Sequence, residues 1–138
     1  MLVEFILGEN GMNFKRQEGF RFVFNEPIDA KFKIIINGQA NVGTYDCKIL
    51  DISPRGIKMF STAQIGEYLN STTLQIEVQF VLDVTMIYAT GDIVWSKPYA
   101  GGIQYGVLFH AREDIGELII SEMKLRRKKE VMQAKLKR

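Results

Sequence analysis

The chain has almost none of the residues that build metal centres or covalent staples: its 138 residues include one cysteine, Cys47, and one histidine, His110. A lone cysteine excludes an internal disulfide and a cysteine-cluster metal site, and it suits a reducing compartment. Cys47 falls in a strand-like run and reads as an inert buried thiol; His110 reads as a polar residue at a strand end, with no second histidine to share a metal. No apolar run approaches the roughly 18 to 20 residues needed to cross a bilayer, and the stretch 2–7 is too short for a signal-peptide core. A cytoplasmic location is expected. Also missing are a G-x-S-x-G elbow, a phosphate-binding P-loop, a dinucleotide glycine loop and any cluster of metal ligands. The reading is therefore non-enzymatic, with no cofactor and no metal.

What is present is ordinary globular material. Hydrophobic residues make up 46% of the chain and charged residues 25%, enough to bury one core and too short for two. The formal charge of +2 conceals two unlike parts. Residues 1–123 carry 10 basic and 15 acidic side chains, and residues 124–138 carry 8 basic side chains and one acid, Glu130. The body is thus acidic and the tail basic.

Strand patterns fill the middle. Residues 29–36 alternate at first, with Ala30, Phe32 and Ile34 on one face and Lys31 and Lys33 on the other, and end at Asn37-Gly38, a pair that tolerates positive φ; a polar loop to Gly43 follows. Residues 45–52 and 57–60 form two strands joined through Ser53-Pro54-Arg55-Gly56, a joint short enough to make them neighbours. Leu74, Ile76, Val78, Phe80 and Leu82 alternate with polar residues in the clearest strand, and residues 84–95 form another, in which Gly91 marks a bulge or a close backbone approach. Residues 98–102 turn the chain into a last strand, 103–109. Six strands with short turns predict a mainly β, closed antiparallel barrel, because closure removes exposed edges. From Arg112 the period changes: Ile115, Leu118, Ile119 and Met123 recur as one face of a helix that continues into the basic tail. Leu118, Leu125 and Met132 repeat at seven, but Glu122 and Lys129 fall where a coiled coil wants apolar residues. The expected organisation is a strand and turn segment over 1–14, a barrel over 15–110, and a basic amphipathic helix over 111–138.

Two polar segments stand out: Lys15-Arg16-Gln17-Glu18-Gly19-Phe20-Arg21 ahead of the barrel, and Asp51-Ile52-Ser53-Pro54-Arg55-Gly56 at a strand turn. Together with Gly91-Asp92-Ile93-Val94-Trp95 and Tyr105-Gly106-Val107-Leu108-Phe109, they resemble, over roughly residues 15–110, the PilZ family of bacterial cyclic di-GMP receptors. The second segment matches the family's D/N-x-S-x-x-G turn at every specified position. The first departs from its R-x-x-x-R pattern, because Arg16 and Arg21 are five apart rather than four.

The resemblance implies a six-stranded barrel and assigns ligand contacts to Arg16, Arg21, Asp51, Ser53 and Gly56, with Lys15, Arg55 and Trp95 in support. The residue chemistry agrees with such a ligand. An arginine fork suits phosphate oxygens and can stack on or bond a guanine, while a carboxylate can accept from guanine N1 and N2. Trp95 reads as a core or rim residue rather than a stacking platform. The implied function is a second-messenger receptor that changes shape on binding cyclic di-GMP and so regulates an effector protein in motility, polysaccharide or biofilm output. The alternative is a PilZ-like adaptor that has lost the nucleotide and works by protein contacts. The basic segment 124–138 raises a third possibility, contact with nucleic acid or an anionic membrane.

Overall fold

Unbroken alternation locates the strands best. In the computed structural model, which describes residues 20–40, 43–68, 74–110 and 112–136, β5 (Leu74–Val81) buries Leu74, Ile76, Val78 and Phe80 and turns the residues between them outward. This is the period-two pattern of a sheet with one face on a core. The other strands are β1 (Phe22–Ile36), β2 (Gln39–Ala40), β3 (Tyr45–Ser53), β4 (Gly56–Ser61), β6 (Met86–Tyr99) and β7 (Gly102–Phe109). All pair antiparallel, in the order β1-β3-β4-β7-β6-β5, and β5 pairs back onto β1. The result is the expected closed six-stranded barrel, with the two-residue β2 attached to the end of β1. Phe22, Phe32, Ile34, Ile49, Ile52, Met59, Ile76, Phe80, Ile87 and Tyr105 fill its interior with almost no exposure.

Three strand limits differ from the sequence expectation, each for a local reason. Strand β1 starts at Phe22 rather than Asp29, because its register jumps from Val23↔Asp51 to Ile28↔Ile49. Residues 24–27 stand opposite Leu50 alone, and Pro27, which has no N–H to give a ladder, sits in that bulge. The polar stretch after Asn37-Gly38 is not all loop: both residues have positive φ, 52° and 78°, and they turn Gln39–Ala40 back against Ile35 and Ile36. Strand β6 runs on to Tyr99, and the turn proper is Ala100-Gly101, at φ 46° and 80°. Gly91 is a close approach, since a Cβ there would lie 2.5 Å from the Leu108 carbonyl oxygen. The bulge itself falls at Val94.

The helix α1 (Glu113–Leu136) packs on the barrel through Ile119 and Met123, both fully buried, and through a polar clamp on the β5–β6 connection. Glu122 is 4% exposed, and its Oε1 accepts from the backbone N–H groups of Asp83, Val84 and Thr85 at 3.0, 3.1 and 3.1 Å. Arg126 donates to the Leu82 carbonyl at 2.9 Å and lies over the Phe24 ring, and Lys129 pairs with Asp83 at 2.8 Å. Glu122 and Lys129, which break the heptad pattern, are thus the residues that dock the helix. Among the described residues, no helix is long and apolar enough to cross a membrane.

Candidate functional site

The site is assembled around a two-residue hairpin. Ser53 pairs with Gly56 and Asp51 with Lys58, leaving Pro54 and Arg55 as the turn. The Ser53 hydroxyl accepts from the Arg55 N–H at 3.2 Å and donates to the Gly56 carbonyl at 3.4 Å, so it braces the turn from inside. Gly56 is needed for close packing, because a Cβ would sit 2.2 Å from the Val107 carbonyl oxygen on β7. The Arg55 carbonyl accepts from the Phe109 N–H at 2.7 Å, which ties the turn to the end of β7. Pro54 also faces Gly116, in the second turn of α1.

Two bulges then decide what faces outward. In β3, Cys47 and Ile49 point into the barrel, so plain alternation would send Asp51 inward as well. The register shift at Leu50 inserts one residue, and Asp51 emerges on the outer face beside Lys58. In β6, the shift at Val94 does the same for Trp95 after Ile93. Re-aiming a side chain in this way is a recurrent use of bulges. The outcome is one lateral row across five strands, Val23↔Asp51↔Lys58↔Gly106↔Trp95. The Trp95 indole lies across Gly106, where a Cβ would fall 2.0 Å from its Nε1. Trp95 is 43% exposed and lines the cleft, so of the core and rim positions expected for it the structure excludes the core.

Charge around Asp51 is arranged as cation, anion, cation, with Arg21 reaching it from just ahead of β1 and Lys58 from β4. Asp51 is 6% exposed; Arg21 donates to its Oδ1, and Lys58 Nζ lies 3.5 Å from its Oδ2. Burying a carboxylate to this depth is costly unless it is paired, and both cations supply that pairing. Arg21, Asp51, Ser53, Arg55, Gly56 and Trp95 all line a single cleft of about 670 Å³, together with Lys58, Gly106 and Leu108. That size suits a small-molecule ligand. The cleft offers donors for an anion at one end, an acceptor in the middle and a flat aromatic face at the other end.

Lys15 and Arg16 lie outside the described residues. Lys58 was not singled out from the sequence, although a signal was available: a two-residue turn at Pro54-Arg55 makes Lys58 the cross-strand neighbour of Asp51. Leu108, 46% exposed beside the cleft, carried no such signal. Cys47 and His110 stay apart. Cys47 is buried, and desolvation, helped by the neighbouring Asp46 charge, pushes its thiol up to about 12. His110 bonds Asp92 at 3.0 Å on the surface. A larger concavity of about 780 Å³ lies over β1 and β3, but its charges are satisfied across the strands, Lys31 with Asp46 at 2.6 Å and Lys48 with Asp29 at 2.5 Å. Among the described residues, no group of three or more histidine, cysteine or acidic side chains is placed to hold a metal ion.

The model of the PilZ domain matches residues 13–123. No curated protein matches the chain.

Proposed function

The chain belongs to the PilZ domain family, a family of cyclic di-GMP receptors, and we propose that it binds this nucleotide in the cleft between Arg21 and Trp95 and regulates an effector protein by the resulting change of surface. One observation carries the reading: the five-strand row brings Asp51, Lys58 and Trp95 to one cleft from widely separated parts of the chain, and Arg21 joins them by bonding Asp51.

In this reading each residue has a task that follows from its chemistry. Asp51 accepts from the N1 and N2 donors of a guanine. Arg21, which bonds Asp51, turns its fork to the phosphates as the guanine takes over the carboxylate. Lys58 adds a second cation beside them, and Trp95 offers its exposed face to a base. Ser53 and Gly56 hold the turn that positions Asp51. Arg16, with Lys15, closes over the ligand from the N-terminal segment, as the family resemblance implies. Such closure regulates a partner only when the nucleotide prefers the closed arrangement to the open one. The compartment proposed is the cytoplasm, where the single thiol stays reduced.

Calorimetric titration with cyclic di-GMP tests the proposal. Micromolar or tighter binding is expected, abolished in Arg21→Ala and Asp51→Ala and weakened about tenfold in Lys58→Ala, the loss of roughly one charge-assisted contact. No heat at high nucleotide concentration, together with an unchanged Tm, would sink the receptor reading. That result would favour the nucleotide-free adaptor, a reading supported by the direct Arg21–Asp51 pair, which lets the two side chains satisfy each other.

A further inference from the structure

Helix α1 carries an apolar stripe that its own docking covers only at its first member, where Leu118 packs partly against the core. Its buried residues are Ile119, Glu122 and Met123. Leu118, Leu125 and Met132 recur every seven residues along a different line, and Leu136 stands one turn further on. Leu125 is 47% exposed, Met132 54% and Leu136 80%. Residues 131–136 are exposed throughout. Among the described residues, Lys129–Asp83 is the last ion pair that joins the helix to the barrel. Nearly two turns therefore extend past the barrel with apolar side chains in water.

The charge along the helix indicates what covers the stripe. Residues 113–123 carry four acidic side chains and no basic one, whereas residues 124–136 carry six basic side chains and one acidic. The line flanking the stripe repeats the asymmetry at the same spacing: Asp114, Ser121, Lys128, Lys135. Two parallel copies would set their basic halves side by side. Two antiparallel copies centred on Leu125 bring Leu118 against Met132, Asp114 beside Lys135 and Ser121 beside Lys128, and they oppose the helix dipoles as well. Asp114 also bonds Arg112 of its own chain at 2.6 Å, so the acidic end is contributed by Glu113 and Glu117 too.

We propose that this chain self-associates as an antiparallel helix pair through Leu118, Leu125, Met132 and Leu136. Glu122 and Lys129 are committed to the barrel, so the seam is one row of side chains rather than a full coiled coil. An interface this narrow falls in the small, transient class and dissociates in the micromolar range. Its two-fold axis passes by Leu125, inside the stretch from Ile119 to Lys129 that docks each barrel, so the two barrels flank that axis.

Sedimentation velocity on the full chain, from about 1 µM to about 300 µM, brackets that affinity. The dimer fraction is expected to rise with concentration, and Leu125→Asp is expected to sediment as a monomer with an unchanged Tm. Orientation is read from single cysteines in a Cys47→Ala background under mild oxidation. Leu125→Cys is expected to cross-link to itself. Leu118→Cys and Met132→Cys are expected to cross-link only when the two variants are mixed. A monomer at every concentration overturns the proposal, as does self-cross-linking of Leu118→Cys and Met132→Cys separately, which marks a parallel pair. Monomeric protein that binds phosphatidylglycerol vesicles, and loses that binding in Leu125→Asp, overturns it in favour of a membrane surface.

Discussion

Leu50 and Val94 contribute little to the core themselves, yet each turns the residue after it from the inside of the barrel to the outside. The seat prepared for Trp95 is equally local. Replacing Gly106 with alanine puts a methyl group where the indole lies, so the ring must swing away into water. The only tryptophan of the chain makes this measurable: Gly106→Ala is expected to shift its emission to the red at a stability cost of about 1 kcal/mol, a modest overpacking penalty. An unshifted spectrum would show that the indole does not depend on that glycine. Ala100 gives the opposite case. It holds φ 46° in a two-residue turn beside Gly101, a region costing about 1 kcal/mol for alanine. Ala100→Asn, which recreates the Asn-Gly pair found at Asn37-Gly38, is expected to raise the urea midpoint by about 0.5 to 1 kcal/mol equivalent. Cys47 yields a pH prediction. Burial raises its folded pKa to about 12, above an unfolded value near 8.5. The native state therefore holds the proton longer, and this contribution to stability is complete below the unfolded value and fades as pH climbs towards 12. Cys47→Ala is expected to flatten the alkaline part of the stability profile, measured by urea unfolding in steps above pH 8.5.

Sequence legibility varied from element to element according to whether alternation was unbroken. Strand β5 could be read directly because every second residue from Leu74 to Phe80 is buried. Strand β1 could not, because between the inward Phe24 and the inward Ala30 the same phase meets the exposed Glu26 and the half-buried Ile28, next to Pro27. The same limit applies to the site. The turn residues Asp51, Ser53 and Gly56 were visible as a motif, whereas the outward face of Trp95 depends on a bulge that alternation does not signal. In α1, Glu122 and Lys129 looked like defects in a heptad because their partners lie on a hairpin about forty residues away. Glu122 is the stronger case, since one carboxylate oxygen satisfies three backbone donors of the connection 82–85. Glu122→Ala strands those donors and is expected to cost about 2 to 4 kcal/mol, while Glu122→Gln, which keeps an acceptor but not its charge, loses about half as much. Urea unfolding of both variants checks the order; equal losses would mean that a neutral acceptor retains nothing and that the whole effect rests on the charge.

For the molecule as a whole, closure distributes the site over the chain. Strand β1 is shared between β3 and β5, and β4 pairs with β7 across some fifty residues of sequence, so the barrel is held by contacts between distant segments. Domains dominated by such contacts fold slowly, on roughly the millisecond to second scale. The row Val23↔Asp51↔Lys58↔Gly106↔Trp95 joins residues from 23 to 106. No hairpin fragment contains the whole cleft, because its anion-binding end comes from Arg21 ahead of β1 and from β3 and β4, and its aromatic end from β6, seated on β7. A nascent chain on the ribosome therefore has no complete cleft until β7 has emerged and joined β4 to β6. A ligand of this cleft can distinguish finished molecules from unfinished ones, and by binding only the finished form it slows their unfolding as its concentration rises.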